Sequence, residues 1–265
     1  MGVMASPASS DRKNDPRIGV AQQELFDENK SKVTKYSEFV VGRSGVLPLL
    51  GYEFVTMMSS WVPGALGLFL RSKLYPLLLG SCGRNVTFGQ NVVLRHPHKI
   101  RIGSNVVVDD NCLLDAKGLD NRGIELDDGV WVGRNTILSC KNGNIRLGEK
   151  ANVGFNCEIA AAGDVRIGKQ VLLAAYVYIV GGDHLHERTD VPVAEQGRTA
   201  QGVAIEDGAW VGAHVVVADG VRIGKHAIIG AGGVVLEDVP DYHIAGGVPT
   251  RLLRDRRETS ADDAS

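Results

Sequence analysis

The stretch VAIEDGAWVGAHVVVADGVRIGKHAIIGAGGVV (residues 203–235) sets an aliphatic side chain at every sixth position: Ile205, Val211, Val217, Ile223, Ile229 and Val235. Most are followed by a small residue, as at Gly212, Ala218, Gly224 and Gly230. A period of six belongs neither to a strand nor to a helix. It belongs to a solenoid in which a short strand turns a corner every six residues and points its aliphatic side chain into a narrow core. The following residue sits in the crowded bend, and Gly, Asn and Asp nearby tolerate positive φ.

Upstream the rule holds in triplets: Ile102/Val108/Leu114, Leu126/Val132/Leu138, Leu147/Val153/Ile159 and Ile167/Leu173/Ile179, after a partial first coil at Phe88/Leu94. Three strands of six make a triangular coil. Successive triplets are separated by twelve, nine and eight residues rather than six, so extra residues enter at one recurrent corner. The largest insertion lies between Ile179 and Ile205 and reads GGDHLHERTDVPVAEQGRTAQG. The scaffold repeats and this loop does not, so the chemistry is expected there.

Composition bounds the alternatives. The 265 residues are one large domain, or one domain with appendages. The 33 glycines suit a corner every six residues, and a net charge of −2 gives no reason to expect nucleic acid. Cys82, Cys112, Cys140 and Cys157 show no CxxC and no metal-ligand spacing. The last three fall inside coils and read as core residues, which suits the cytoplasm.

Residues 1–36 are polar, lack the apolar run of a secretory signal and read as a disordered arm. Gly2 and Ser6 match the short myristoylation pattern, a chance match on this reading. Within residues 37–84, the stretch VLPLLGYEFVTMMSSWVPGALGLFL (46–70) carries one charge, Glu53, and is followed by Arg71 and Lys73. Pro48, Pro63, Gly64 and Gly67 break it, so it reads as two short helices rather than a membrane span. Such helices either cap the open end of the solenoid or lie at a membrane surface, and the two roles are compatible. The solenoid is expected over residues 85–239, with a catalytic loop at 180–203. Asn91, Asn105, Asn111, Asn135, Gly129, Gly208 and Gly220 fall at its corners. His96 and His98 in RHPHK read as a solvated turn. Residues 240–265 read as a short helix and a frayed tail.

LGEKANVGFN, GGDHLHE, IEDGAWVGAHVVVADGVRIGKHAIIGAGGVVLEDVP and AGGVPTRLLR together resemble the hexapeptide-repeat acyltransferases, and among them the galactoside, maltose, xenobiotic and envelope-polysaccharide O-acetyltransferases. The resemblance covers roughly residues 85–254. It implies a mainly β fold, a left-handed parallel β-helix, usually a homotrimer with acyl-CoA bound in the groove between subunits. The implied reaction moves an acyl group, most simply from acetyl-CoA, to a hydroxyl of a sugar or glycan intermediate, with no metal. Read from the residues instead, the cysteines suit the cytoplasm, and the apolar stretch 46–70 is compatible with peripheral contact to the inner face of the cell membrane.

Acyl transfer from a thioester needs a base for the acceptor's proton and donors for the developing oxyanion. Histidine suits the base because its ordinary pKa lies near working pH. His184 stands where the family motif has its catalytic histidine, and His186 is the rival. Asp183, Glu187, Asp190 or a backbone carbonyl is expected to orient the base. Trp210 matches a family tryptophan near the acceptor, and Asn156 is a further substrate candidate. The resemblance places the coenzyme along Gly212, Ala213 and Ala231, with Arg251 and Arg254 toward its phosphates. Two positions depart from the pattern: Leu236-Glu237 stands where Thr-Lys is common, and Gly154 where several sugar acetyltransferases have asparagine. These departures keep a second class open, a non-catalytic β-helix scaffold. A γ-type carbonic anhydrase is disfavoured because His184, His186, His214 and His226 lack the H-x4-H pairing. A sugar nucleotidyltransferase is disfavoured because no N-terminal stretch reads as a nucleotide-binding α/β domain.

Overall fold

In the computed structural model, which describes residues 30–258, three parallel sheets run side by side along the chain. Face 1 has seven strands, from Ser81–Cys82 to Arg222–Ile223. Face 2 has nine, from Thr87–Phe88 to Arg251–Asp255. Face 3 has seven, from Val93–Arg95 to Val234–Val235. Each strand pairs with its counterpart one coil on. On face 3, Leu94, Leu114, Leu138, Ile159, Ile179, Val217 and Val235 form one unbroken row. All seven are buried, so each aliphatic side chain stacks on its equivalent about 4.8 Å away. This is the parallel β-solenoid read from the period of six.

The corners follow from backbone sterics. Between faces 2 and 3, Asn91, Asn111, Asn135, Asn156, Tyr176, His214 and Gly232 all take positive φ. Asparagine tolerates that region because its short amide bonds locally, and here the amides also bond one another between coils. Asn91 Nδ2 donates to Asn111 Oδ1 (3.2 Å) at this corner, and Asn85 Nδ2 to Asn105 Oδ1 (2.9 Å) at the corner between faces 1 and 2. The insertions enter between faces 3 and 1, as the spacing predicts.

The outward rows differ in character. Face 1 shows Ser81, Arg101, Glu125, Arg146, Arg166, Ala204 and Arg222. Face 3 shows Val93, Leu113, Ile137, Glu158, Tyr178, Val216 and Val234. Face 2 shows Thr87, Val107, Trp131, Asn152, Leu172, Trp210, Ile228 and Ile244. One face is charged, and the two that meet at the Asn111–His214 corner are largely apolar.

An open first coil would expose unpaired carbonyls. Helices α1 (Lys32–Tyr36), α2 (Val46–Ser59) and α3 (Gly64–Leu74) cover it. Tyr52 Oη donates to Leu94 O (2.9 Å), Tyr75 Oη to Val92 O (3.0 Å) and Arg71 Nε to Phe88 O (2.9 Å). The apolar segment is therefore a cap. No helix among the described residues is long and apolar enough to cross a membrane.

Several expectations are corrected. The polar arm lies outside the described residues up to position 29, but its last part is not a disordered arm: Lys32–Tyr36 is helix, and Ser31 caps it by accepting from Thr34 N. The solenoid starts at Ser81 rather than 85. The expected C-terminal helix is not found among the described residues: His243–Gly246 pairs in parallel with Ile228–Ile229, and Arg251–Asp255 folds back on it antiparallel. The open edge of the last coil needs backbone partners, which a hairpin supplies and a helix does not; Gly247, at φ 98°, begins the turn. Most of the tail expected from residue 258 on lies outside the described residues. Cys112, Cys140 and Cys157 are buried as expected, and burial pushes the Cys112 and Cys140 thiols up to about 11 and about 12.

His96 and His98 are not a solvated turn. His96 N–H donates to Val40 O (2.8 Å), tying their insertion to the π-helical turn Ser37–Val41 of the cap. His96 Nε2 and His98 Nδ1 are buried without a hydrogen-bond partner. Burial holds both rings neutral and brings His98 down to about 4, helped by the cations Arg43 and Lys99. Asp115 opposes the shift at His96. Because the folded chain resists protons that the unfolded chain accepts, stability is expected to fall from about pH 6.5 to about pH 4. Urea unfolding of wild type and His98→Gln across that window should show the variant losing less stability on acidification.

Candidate active site

Face 3 releases the chain after Tyr178–Val180, and the long insertion leaves through Gly181 and Gly182. A Cβ at Gly182 would stand 2.5 Å from Ala162 Cβ, so glycine is required at this exit. The two legs pair antiparallel, Asp183 opposite Thr199 and His184 opposite Arg198. Asp219 of the next coil anchors the returning leg, accepting from Thr199 Oγ1 (2.8 Å), Gln201 N (3.1 Å) and Gly202 N (2.7 Å). Beyond the ladder, Gln196 closes the loop on Arg188 N (2.8 Å) and Arg188 O (2.7 Å).

His184 is thus held by backbone on an anchored two-residue ladder, with its side chain exposed. Its ring makes no hydrogen bond among the described residues. Of the orienting groups expected, Asp183 is engaged by the His184 N–H (2.7 Å) and Asp190 by Arg188 (Nε–Oδ1 3.0 Å). The Arg188 guanidinium holds the Asp190 carboxyl below its ordinary value. The backbone-carbonyl option is realised on the neighbour, where His186 Nδ1 lies 3.1 Å from His184 O. A carbonyl only accepts, so Nδ1 carries the His186 proton.

The remaining expected residues lie on face 2 or at its corner with face 3. Trp210 is 50% exposed in the outward row, and the register continues through Ile228 and Ile244 to Arg254. Between Ile244 and Ala245 the hairpin register shifts. Gly246 faces Arg251 and Ile244 faces Arg254, so the bulge brings both arginines to the side that carries Trp210. Trp210 and Arg254, three rungs apart, are about 14 Å from each other along this row.

The corner donors differ from expectation. Gly212 N–H is engaged by Ile229 O (2.9 Å), because the coil-to-coil ladder runs through it. A Cβ there would meet Ala231 N at 2.6 Å, so Gly212 is a packing requirement rather than a donor. The N–H groups of Ala213 and Ala231 make no hydrogen bond among the described residues and are the open donors. Asn156 is a corner residue at φ 55°, on the rung below Tyr176.

Two side chains at this corner were not singled out from the sequence. Tyr176 and His214 stack with ring centroids 4.7 Å apart and planes 3° from parallel. Phe155 meets Tyr176 edge-on at 5.9 Å, with the Arg134 guanidinium 4.8 Å above Phe155. The signal was present: a bulky ring stands where the corner rule calls for Asn or Gly. Two shallow concavities lie elsewhere, on charged face 1 around Arg101, Glu125, Arg146, Arg166 and Lys169. Neither borders His184 or Trp210.

Within one chain, His184 leaves from the corner joining faces 3 and 1, and Trp210 stands on face 2. The expected site residues form two groups: the loop, and face 2 with its corner.

Residues 202–237 match the family model described as bacterial transferase hexapeptide (six repeats). A probable acetyltransferase of Mycobacterium tuberculosis is 33% identical over 135 residues, 50% of this chain and 45% of that protein. The galactoside O-acetyltransferase of Escherichia coli K12 is 35% identical over 130 residues, 48% of this chain and 62% of that protein. The chain spans about half the length of the curated relatives it matches. An N-acyltransferase from Bacillus cereus, solved with dTDP and 3-hydroxybutyryl-CoA, superposes with a TM-score of 0.50 at 20% identity, covering 75% of this chain and 91% of that one. That likeness concerns the fold. The hexapeptide-repeat resemblance stands, and the architecture is consistent with the left-handed β-helix it implies.

Proposed function

We propose that this hexapeptide-repeat chain is an acyl-CoA-dependent O-acyltransferase, using acetyl-CoA and acting on a hydroxyl of a sugar or glycan intermediate. In this reading the working unit is a homotrimer. The observation that carries it is the division of the site residues between two parts of the prism. Three triangular prisms around an axis each bury two faces, and faces 2 and 3 are the apolar pair. Face 3 of one subunit then packs on face 2 of the next. The loop at the outer margin of face 3 comes over the neighbour's Trp210 row, and neither group is complete without the other.

The residues present suit an acyl-CoA. Ala213 and Ala231 offer unengaged N–H groups and carry only small side chains themselves, and Arg251 and Arg254 lie exposed on one side of the hairpin for phosphates. The bound coenzyme supplies an activated thioester carbonyl. His184 takes the acceptor's hydroxyl proton as that oxygen attacks, and the corner N–H groups stabilise the charge developing on the carbonyl oxygen; collapse then breaks the C–S bond, and the coenzyme leaves as its thiol with the proton returned by His184. Trp210, with Tyr176 and His214 beside it, offers aromatic surface to an acceptor ring. The names of the curated relatives, acetyltransferases both, support the reaction class.

Acetyl-CoA binding tests the reading. At a hundredfold excess over Kd it is expected to add about 2.7 kcal/mol of apparent stability. That appears as a rise of several degrees in midpoint, in wild type and in His184→Ala alike. No rise in either protein would remove the coenzyme and favour a scaffold.

A further inference from the structure

The cap has two apolar sides, and the solenoid uses one. Tyr52, Val55 and Ser59 of α2, with Gly67 and Arg71 of α3, are buried toward the first coil. The opposite side of α2 carries Leu47, Leu50, Phe54 and Met57, continued by Trp61, at spacings of three and four residues. Leu47 is 83% exposed and Trp61 64%. α3 adds Leu66 and Phe69, and Leu77 follows. From residue 44 to 72 the only charged residues are Glu53 and Arg71. Arg71 is buried against backbone carbonyls, and Glu53 accepts from Tyr36 Oη (2.7 Å). Trp61 Nε1 is also satisfied, donating to Met57 O (2.7 Å).

We propose that this face of α2 and α3 seats the protein on an anionic lipid bilayer, in the interfacial plane. Charge favours lipid over a second copy of the chain. Exposed cations stand at the margins, Lys32 and Arg43 before the stripe and Lys73 at its end, while the single acid within it is engaged. Lys73 Nζ sits 6.0 Å above the Phe69 ring, so a cation and an apolar group share one edge, as an interface between headgroup and acyl chain requires. At 14 and 11 residues the helices are too short to span a hydrocarbon core and long enough to lie along it. The proposal does not depend on the acyltransferase reading.

Flotation of the full chain with vesicles tests it, using phosphatidylcholine alone or mixed with phosphatidylglycerol. Wild type is expected to float with the anionic vesicles, less so as salt is added. Leu50→Ser/Phe54→Ser/Met57→Ser, all exposed side chains, should cut partitioning by at least about tenfold. Lys73→Gln should weaken it by about fivefold. Wild type remaining unbound would overturn the proposal, as would undiminished flotation of the triple variant. So would a vesicle-free loss of oligomeric mass in the triple variant, which would assign the face to a second copy.

Discussion

Replacing His184 with alanine is expected to lower turnover by about a hundred- to ten-thousand-fold, the usual contribution of a positioned general base. The acetyl-CoA-induced rise in melting midpoint should remain, because the proposed coenzyme contacts lie on face 2 and the hairpin. The side chain is exposed, so stability should change by no more than about 0.5 kcal/mol. His186→Ala is the discriminating control. His186 has the oriented ring, but it sits beyond the ladder that Asp219 anchors, and general-base catalysis depends on fixed placement. A much smaller loss is expected there. If His184→Ala kept full turnover, the base assignment would fail; if His186→Ala alone abolished it, the role would pass to His186.

Arg71→Leu is expected to destabilise the cap by about 2–4 kcal/mol. Arg71 is 1% exposed, and its guanidinium serves three carbonyls, Phe88 O through Nε and Ser59 O (3.0 Å) and Val62 O (2.7 Å) through Nη1. Burial pulls its pKa down. One charged group thereby satisfies the open edge of the solenoid and the turn between α2 and α3. Leucine would leave all three acceptors without it in a dry setting. The melting midpoint should drop by roughly 5–15 °C, with earlier proteolysis between cap and first coil. Arg71→Lys should recover only part, since an ammonium lacks the planar fork that reaches both sides. A Leu variant within about 0.5 kcal/mol of wild type would show that the cap is held by apolar packing alone.

The two variants probe features of unequal visibility in the sequence. His184 was legible because it lies in the one large interruption of a strict period. In the sequence Arg71 stands only as a cation after the apolar stretch, since nothing in the chain order says that it folds back under α2. His96 and His98 look like a solvated turn in the sequence for a related reason. Residues 37–41, which cover them, are distant in sequence, so their burial has no local signature. Gly212 is expected along the coenzyme, but its N–H is already engaged by the ladder. Composition cannot show which donors a ladder leaves open.

By itself the sequence determined the inward rows of the solenoid, the corner that takes insertions and the loop that bears His184. A six-residue period has one structural solution, and every coil repeats it. Only the tertiary structure decided that the C-terminus closes face 2 as a hairpin, that a bulge puts Arg251 and Arg254 on one side, and that Tyr176 and His214 stack at the Trp210 corner. These outcomes arise from edges and from contacts between coils: an open strand edge demands a partner, and residues a coil apart in sequence meet about 4.8 Å apart in space.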